Sequence, residues 1–366
     1  MSHICAKDIK INPDGSFSVA WDGDIPRFEG HRSHFPSGFF AKKDLVALEM
    51  SICKKYPRIL WERADLDAVQ HDIKVKYAEL MADEETLHHV TQHLLQYGIT
   101  FVSKVPSTPD AVASIGSRIG PLKSTIYGTT WDVRSLSSAK NVADTSSDLG
   151  FHMDLLYYKE PPRLQILHYL RQSQRGGQSL FSDSFKAVAT LVKRYLDPDD
   201  PNFQPTLNGS SPLVALINFK HPFHYRNNGH WLQHEHPTVE VDSSLNFRDS
   251  SKAHMKSLDI SKIENALRAV RWSPPFRAPM LRQQNKKALL LDDWIRGARL
   301  LQQIFERQEA VFETRMEEGT CVIFDNRRIL HGRREFAGGE RWLRGAYIDD
   351  DTFRQRVLKM DDYYST

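Results

Sequence analysis

Apolar positions in this chain fall mostly into short runs, with helical stripes in a few places. From about residue 124 onward the runs are STIYGTTWDV, LQILHYL, GGQSLFSD, TVEVD, TCVIFDN and WLRGAYID, separated by turn residues. Segments of that length, rich in β-branched and aromatic residues and bounded by Gly, Asn, Asp and Pro, predict β-strands. Near the start, IKINPDGSFSVAWDGD (9–24) reads as strand, Pro-Asp-Gly turn, strand. Helical spacing marks MADEETLHHVTQHLLQYG (81–98), with Asp83 as N-cap, acids in the first turn and Gly98 past the end. ITFVSKVP follows as a strand and PDAVASIGSRIG as a helix. Helices are also expected over 184–196 and 292–316, and ILWERADLD falls in a charged, loop-like stretch.

The pattern predicts a mainly β fold with flanking helices, whose core is a double-sheet jelly roll. Two units are expected: a small N-terminal β domain over 1–45 and the main domain over 46–366. Positions 197–290, rich in Pro, Asn, His and charge, read as insertions between core strands.

A length of 366 residues is enough to bury a large core. A net charge of +3 argues against nucleic acid as the main partner. Neither a membrane-length apolar run nor a secretory or mitochondrial leader is evident, so a cytoplasmic protein without a membrane partner is expected. The three cysteines, Cys5, Cys53 and Cys321, are scattered, which argues against a disulfide framework or a cysteine zinc site.

The candidate chemistry lies in GFHMDLLYY (150–158). In a strand, residues i and i+2 share a face, so His152 and Asp154 would offer an imidazole and a carboxylate to one point. CVIFDNRRILHGRREFAGGERWLRGAYID (321–349) supplies a second imidazole, His331, and two arginines, Arg341 and Arg344. Two histidines and one carboxylate can hold Fe(II) on one face and leave the others open. A guanidinium suits the far carboxylate of a diacid. His168 reads as a satisfied core histidine. HEH (234–236), with His221, His224 and His230, reads as polar loop histidines before a second metal site.

With YGTTW, NVADT, FHMD, LQILHYLRQSQRGGQSLFSDSF, FDNRRILHGRR and GAYID, the chain resembles the Fe(II)- and 2-oxoglutarate-dependent dioxygenases of the taurine dioxygenase type, closest to the γ-butyrobetaine and trimethyllysine hydroxylases. The resemblance spans about 9–360. It implies iron on His152, Asp154 and His331. It places 2-oxoglutarate on Arg341, with Ser179 and Asn141 beside it and Arg344 as the rival. Tyr127, Trp131 and Tyr347 would form an aromatic cage for a trimethylammonium group, and Asp144 replaces an aromatic residue usual there. Fe(II), 2-oxoglutarate and O2 are the implied cofactor and cosubstrates, with ascorbate as an activator in vitro. The implied products are a hydroxylated small molecule, succinate and CO2. A homodimer is also implied.

Three departures stand against a carnitine-pathway substrate. The family's zinc cysteines are missing, although His34 in HRSHF stands as a leftover ligand, so no structural zinc is expected. The segment 237–266 looks inserted. WSPPFRAP (272–279) replaces an Asn-Asn pair near the substrate carboxylate. The same chemistry on a specialised-metabolite intermediate is therefore the alternative, and a non-catalytic jelly-roll binding protein the remote one.

Overall fold

The computed structural model describes residues 5–22, 30–37, 39, 52, 54–134, 146–196, 199, 211–242, 260–279 and 285–364. The chain divides into two compact units, Met1–Lys55 and Tyr56–Thr366. The first holds an antiparallel sheet of β1 (Cys5–Ile11), β2 (Phe17–Asp22) and β3 (Arg32–Phe35). Its turn follows the Pro-Asp-Gly signal: Gly15 has φ 79°, and Asp14 Oδ1 accepts the Ser16 amide at 2.9 Å.

The second unit is built on two sheets. The larger has the order β4 (Lys74–Lys76), β5 (Ile99–Ser103), β16 (Cys321–Asp325), β8 (Leu164–Arg171), β19 (Trp342–Ile348), β6 (Thr130–Arg134). Only its β4–β5 pair is parallel. The smaller sheet is fully antiparallel, in the order β15 (Phe312–Thr314), β10 (Ser179–Asp183), β17 (Ile329–Arg333), β7 (Leu149–His152). Around them lie the short pair β9 (Arg175–Gly176) and β18 (Phe336–Ala337), the hairpin β11 (Lys220–Asn227) and β12 (His230–Pro237), and the pair β13 (Val239–Val241) and β14 (Leu267–Val270).

The two large sheets pack face to face. Phe101, Leu167, Tyr169, Val322, Phe324 and Leu343 from one form a single cluster with Phe181, Phe312 and Ile329 from the other. Phe181 meets Phe101 and Phe324 edge-on, at ring-centroid distances of 6.4 and 5.7 Å. The outer faces are covered too. Helix Ala111–Ile119 packs on β8 and β19. Phe151, Leu180 and Leu330 of the smaller sheet pack with Val188, Leu191, Leu301 and Phe305 from helices Ser184–Leu196 and Asn285–Glu306. Cover on both sides explains why LQILHYL and CVIF read as continuous apolar runs rather than alternating ones.

Most expected elements form, including helix Glu84–Gln96 with the Asp83 side chain accepting from the Thr86 amide. Two expectations change. ILWERADLD is not a loop: Arg63–Val69 is helical, and Trp61 and Leu66 are buried. The late helix ends at Glu306, and Phe312–Thr314 is an edge strand, because Phe312 pairs with Phe181 and fills the space between the sheets. Within 197–290, the described residues form helices Pro212–Asn218 and Ile260–Ala266 and two strand pairs.

One buried ion pair fixes the frame. Arg328, in the turn before β17, binds Asp183 at the end of β10 at 2.7 Å, with both side chains sealed from solvent. The same guanidinium donates to Gln96 O and Ile59 O, at 2.8 and 2.6 Å. Four segments of the chain thus meet at one charge, just ahead of the strand that carries His331.

Candidate active site

His152 is the last residue of β7, and His331 lies opposite it on β17. The rings are 4.2 Å apart between centroids. Gly332 permits this: a Cβ there would stand 2.7 Å from Leu149 O. His152 Nδ1 lies 3.0 Å from Gly150 O, which fixes the ring plane and turns Nε2 toward Asp154.

Asp154 arrives differently from the expectation. It is not on the strand but on the turn beyond it. The Met153 amide donates to Trp272 O at 2.6 Å, and Leu155 takes a left-handed φ of 62°. Asn326, from the turn between β16 and β17, clamps the Asp154 backbone. Its Oδ1 accepts the Asp154 amide at 3.0 Å, and its Nδ2 donates to Asp154 O at 3.2 Å. A left-handed conformation at a branched residue costs energy and persists only where its surroundings enforce it.

The three side chains converge nonetheless. Asp154 Oδ1 lies 3.4 Å from His152 Nε2 and 4.0 Å from His331 Nε2. One ligand atom from each residue falls within 4.8 Å of the others, and no other such group of three occurs among the described residues. Burial alone would raise the Asp154 pKa. The His152 hydrogen bond, the two imidazoles and the Tyr347 hydroxyl outweigh it, so the carboxyl is held well below the usual carboxylate range. Burial, and then the neighbouring His152, push His331 down to about 3, so it is neutral near pH 7. A neutral imidazole and an ionised carboxylate are the forms that ligate, and the donor set fits a divalent metal such as Fe(II).

A cavity opens from these residues between the sheets. Its walls include Trp131, Gln165, Tyr169, Ser179, Arg333 and Arg341. Arg341 is buried at the entry of β19, its Nε has no partner, and burial lowers its pKa. Ser179 Oγ and the Tyr169 hydroxyl, 2.6 Å apart, line the same cavity. Arg344 does not line it. Its guanidinium binds Asp132 at 2.9 Å and Thr130 Oγ1 at 2.8 Å, on strand β6.

The three aromatic candidates sit in one ring cluster beside Asp154, together with Tyr157, Tyr225 and Phe276. Tyr347 stacks on Trp131 at 5.1 Å and donates to Asp154 Oδ2 at 2.7 Å. Trp131 lines the cavity; Tyr127 and Tyr347 are not among the residues on its wall. The Tyr127 hydroxyl lies 2.7 Å from that of Tyr157. Asn141 and Asp144 lie outside the described residues.

Sequence reasoning missed Asn326, Tyr169 and Gln165. Alternation along LQILHYL carries a signal for the last two, since Gln165, Leu167 and Tyr169 share the cavity face. His168 points the other way, and the expectation of a satisfied histidine fails there: it is fully buried with neither ring nitrogen partnered. His221, His224, His230, His234 and His236 lie on the β11–β12 hairpin and form no metal-ligand group among the described residues.

A two-imidazole, one-carboxylate cluster between two β-sheets, with a buried arginine in the same cavity, is the arrangement of a non-haem iron oxygenase. Residues 62–347 match the family described as "Taurine catabolism dioxygenase TauD, TfdA family", and the chain belongs to that family. It is an enzyme, a 2-oxoglutarate-dependent dioxygenase. The chain is 32% identical to "Dioxygenase str8" of Strobilurus tenacellus, over 97% of this chain and 79% of that one. It is 27% identical to the gamma-butyrobetaine dioxygenase of Pseudomonas sp. (strain AK-1), over 97% of this chain and 81% of that one. Its fold is similar to that of an asparagine oxygenase solved with Fe(II), 2S,3S-3-hydroxyasparagine and succinate. That match has a TM-score of 0.50 and 14% identity, and covers 84% of this chain and 91% of the other.

Proposed function

We propose that the protein hydroxylates an unactivated C–H bond of a small trimethylammonium compound, γ-butyrobetaine before trimethyllysine, on a double-stranded β-helix core. His152, Asp154 and His331 would hold Fe(II). When bound, Fe(II) supplies the redox chemistry that couples O2 and 2-oxoglutarate to substrate hydroxylation, with release of succinate and CO2.

The protein's own groups do the rest. Arg341 would pair with the distal carboxylate of 2-oxoglutarate through charge-assisted hydrogen bonds, with the Ser179 and Tyr169 hydroxyls beside it. The apolar walls Leu149, Leu167, Phe181 and Leu343 would exclude water. The observation that carries the reading is the convergence of the ligand triad and a buried arginine on one cavity, with stacked Trp131 and Tyr347 against Asp154. A quaternary ammonium donates no hydrogen bond and is held by ring faces.

A second substrate reading, a specialised metabolite without a cationic head, draws on a different observation. Tyr127 is packed edge-on to Tyr225 at 5.9 Å, and its hydroxyl is engaged by Tyr157, so the rings fill much of their own space.

Succinate formation with Fe(II), ascorbate and O2 separates the two readings. γ-Butyrobetaine should stimulate 2-oxoglutarate turnover and yield a hydroxylated product. Turnover that neither trimethylammonium compound accelerates would contradict the first reading.

A further inference from the structure

The two oxygens of the Asp154 carboxylate stand in different surroundings. Oδ1 faces the imidazoles, 3.4 Å from His152 Nε2 and 4.0 Å from His331 Nε2. Oδ2 accepts the Tyr347 hydroxyl at 2.7 Å. Tyr347 has little freedom to release it. Its side chain projects from a strand paired on both sides, is 3% exposed, and stacks on Trp131 with 26° between the planes. Trp131 in turn lies over Gly345, its partner in the β19–β6 pair; a Cβ at Gly345 would stand 2.3 Å from the indole. From the other side, Asn326 holds the Asp154 backbone at both its amide and its carbonyl. With the backbone clamped and Oδ2 tethered, the carboxylate cannot turn both oxygens toward the imidazoles without breaking the hydroxyl bond.

We propose that Tyr347 is a positioning residue that makes Asp154 a one-oxygen metal ligand. The proposal rests on the reading of His152, Asp154 and His331 as an Fe(II) site. A carboxylate can bind a metal through one oxygen or two. Two-oxygen binding would occupy a position that a facial triad needs for cosubstrate or O2. The Tyr347 hydroxyl occupies the second oxygen and so keeps that position open. The side chain expected only to form a cage wall thus also sets the coordination of the carboxylate.

Tyr347→Phe tests this, since it removes one oxygen atom and keeps the ring that stacks on Trp131. The purified full-length apoprotein is loaded anaerobically with Co(II), whose visible absorption reports coordination number. The wild type should take one equivalent, and His152→Ala should not. Tyr347→Phe should also take one equivalent, but with an altered Co(II) spectrum. Its 2-oxoglutarate affinity should be weaker by on the order of tenfold, the scale of one hydrogen bond to a charged group. Thermal melting of the variant confirms that it is folded. A Co(II) spectrum of Tyr347→Phe superimposable on that of the wild type overturns the proposal. A wild type that binds no Co(II) overturns the triad reading, and the role of Tyr347 falls with it.

Discussion

Arg341 and Arg344 stand three residues apart, so strand alternation sends them to opposite faces. Arg341 faces the cavity with Leu343, while Arg344 pairs with Asp132, itself 36% exposed. Arg341→Ala should therefore raise the KM for 2-oxoglutarate by about 10- to 150-fold, the 1.5–3 kcal/mol of a charge-assisted bond. Arg344→Ala should leave it nearly unchanged, because Arg344 does not line the cavity and its guanidinium is spent on Asp132 and Thr130. Saturation curves for both variants check this. Strand parity separates the two: residues 341, 343, 345 and 347 share one that 344 does not. His152 and Asp154 were legible as a pair, but strand periodicity is not what joins them. Asp154 reaches the site through a turn, a left-handed Leu155 and the Asn326 clamp. Asn326 is 172 positions away in sequence from the residue it holds, so no local pattern could reveal it.

At the scale of elements, the turn from β16 to β17 carries both the Asn326 clamp and Arg328. The Arg328–Asp183 pair is fully buried and ties that turn to β10. Removing one partner leaves an uncompensated buried charge. Arg328→Ala should destabilise the protein by about 3–5 kcal/mol, and the double variant Arg328→Met/Asp183→Asn should recover part of the loss. Chemical denaturation measures both; equal stability of Arg328→Ala and wild type would contradict the role given to the pair. Strands and helices with strong patterns were readable because local pattern and packing agree there. The stretch 292–316 was readable only up to Glu306, because its helical spacing runs on into a second element. Helix Asn285–Glu306 buries Leu301 and Phe305, whereas Phe312 enters the space between the sheets. Helical periodicity cannot register that change of partner.

Across the whole molecule, several histidines outside the candidate metal site are buried or half-buried. Burial lowers His93, His168 and His221 to about 4 and His236 to about 3. In the unfolded chain each returns to about 6.5. Between these values the unfolded state binds protons that the folded state refuses, so stability is full above about pH 6.5 and is lost as pH falls toward 4. The denaturation midpoint of the metal-free protein should fall over that window, and His168→Leu should make the fall shallower. A midpoint that is flat from pH 7.5 to 5 would contradict this. No helix among the described residues is long and apolar enough to cross a membrane.

His152, Asp154 and His331 are proposed to form an Fe(II) centre served by 2-oxoglutarate at Arg341. The most direct test is succinate release from 2-oxoglutarate with Fe(II) and O2, comparing wild type with folded His152→Ala and Asp154→Ala variants. The wild type should release succinate, with or without added substrate, and either variant none above background. Undiminished succinate from the variants, or none from an Fe(II)-loaded wild type under any substrate tried, would contradict it.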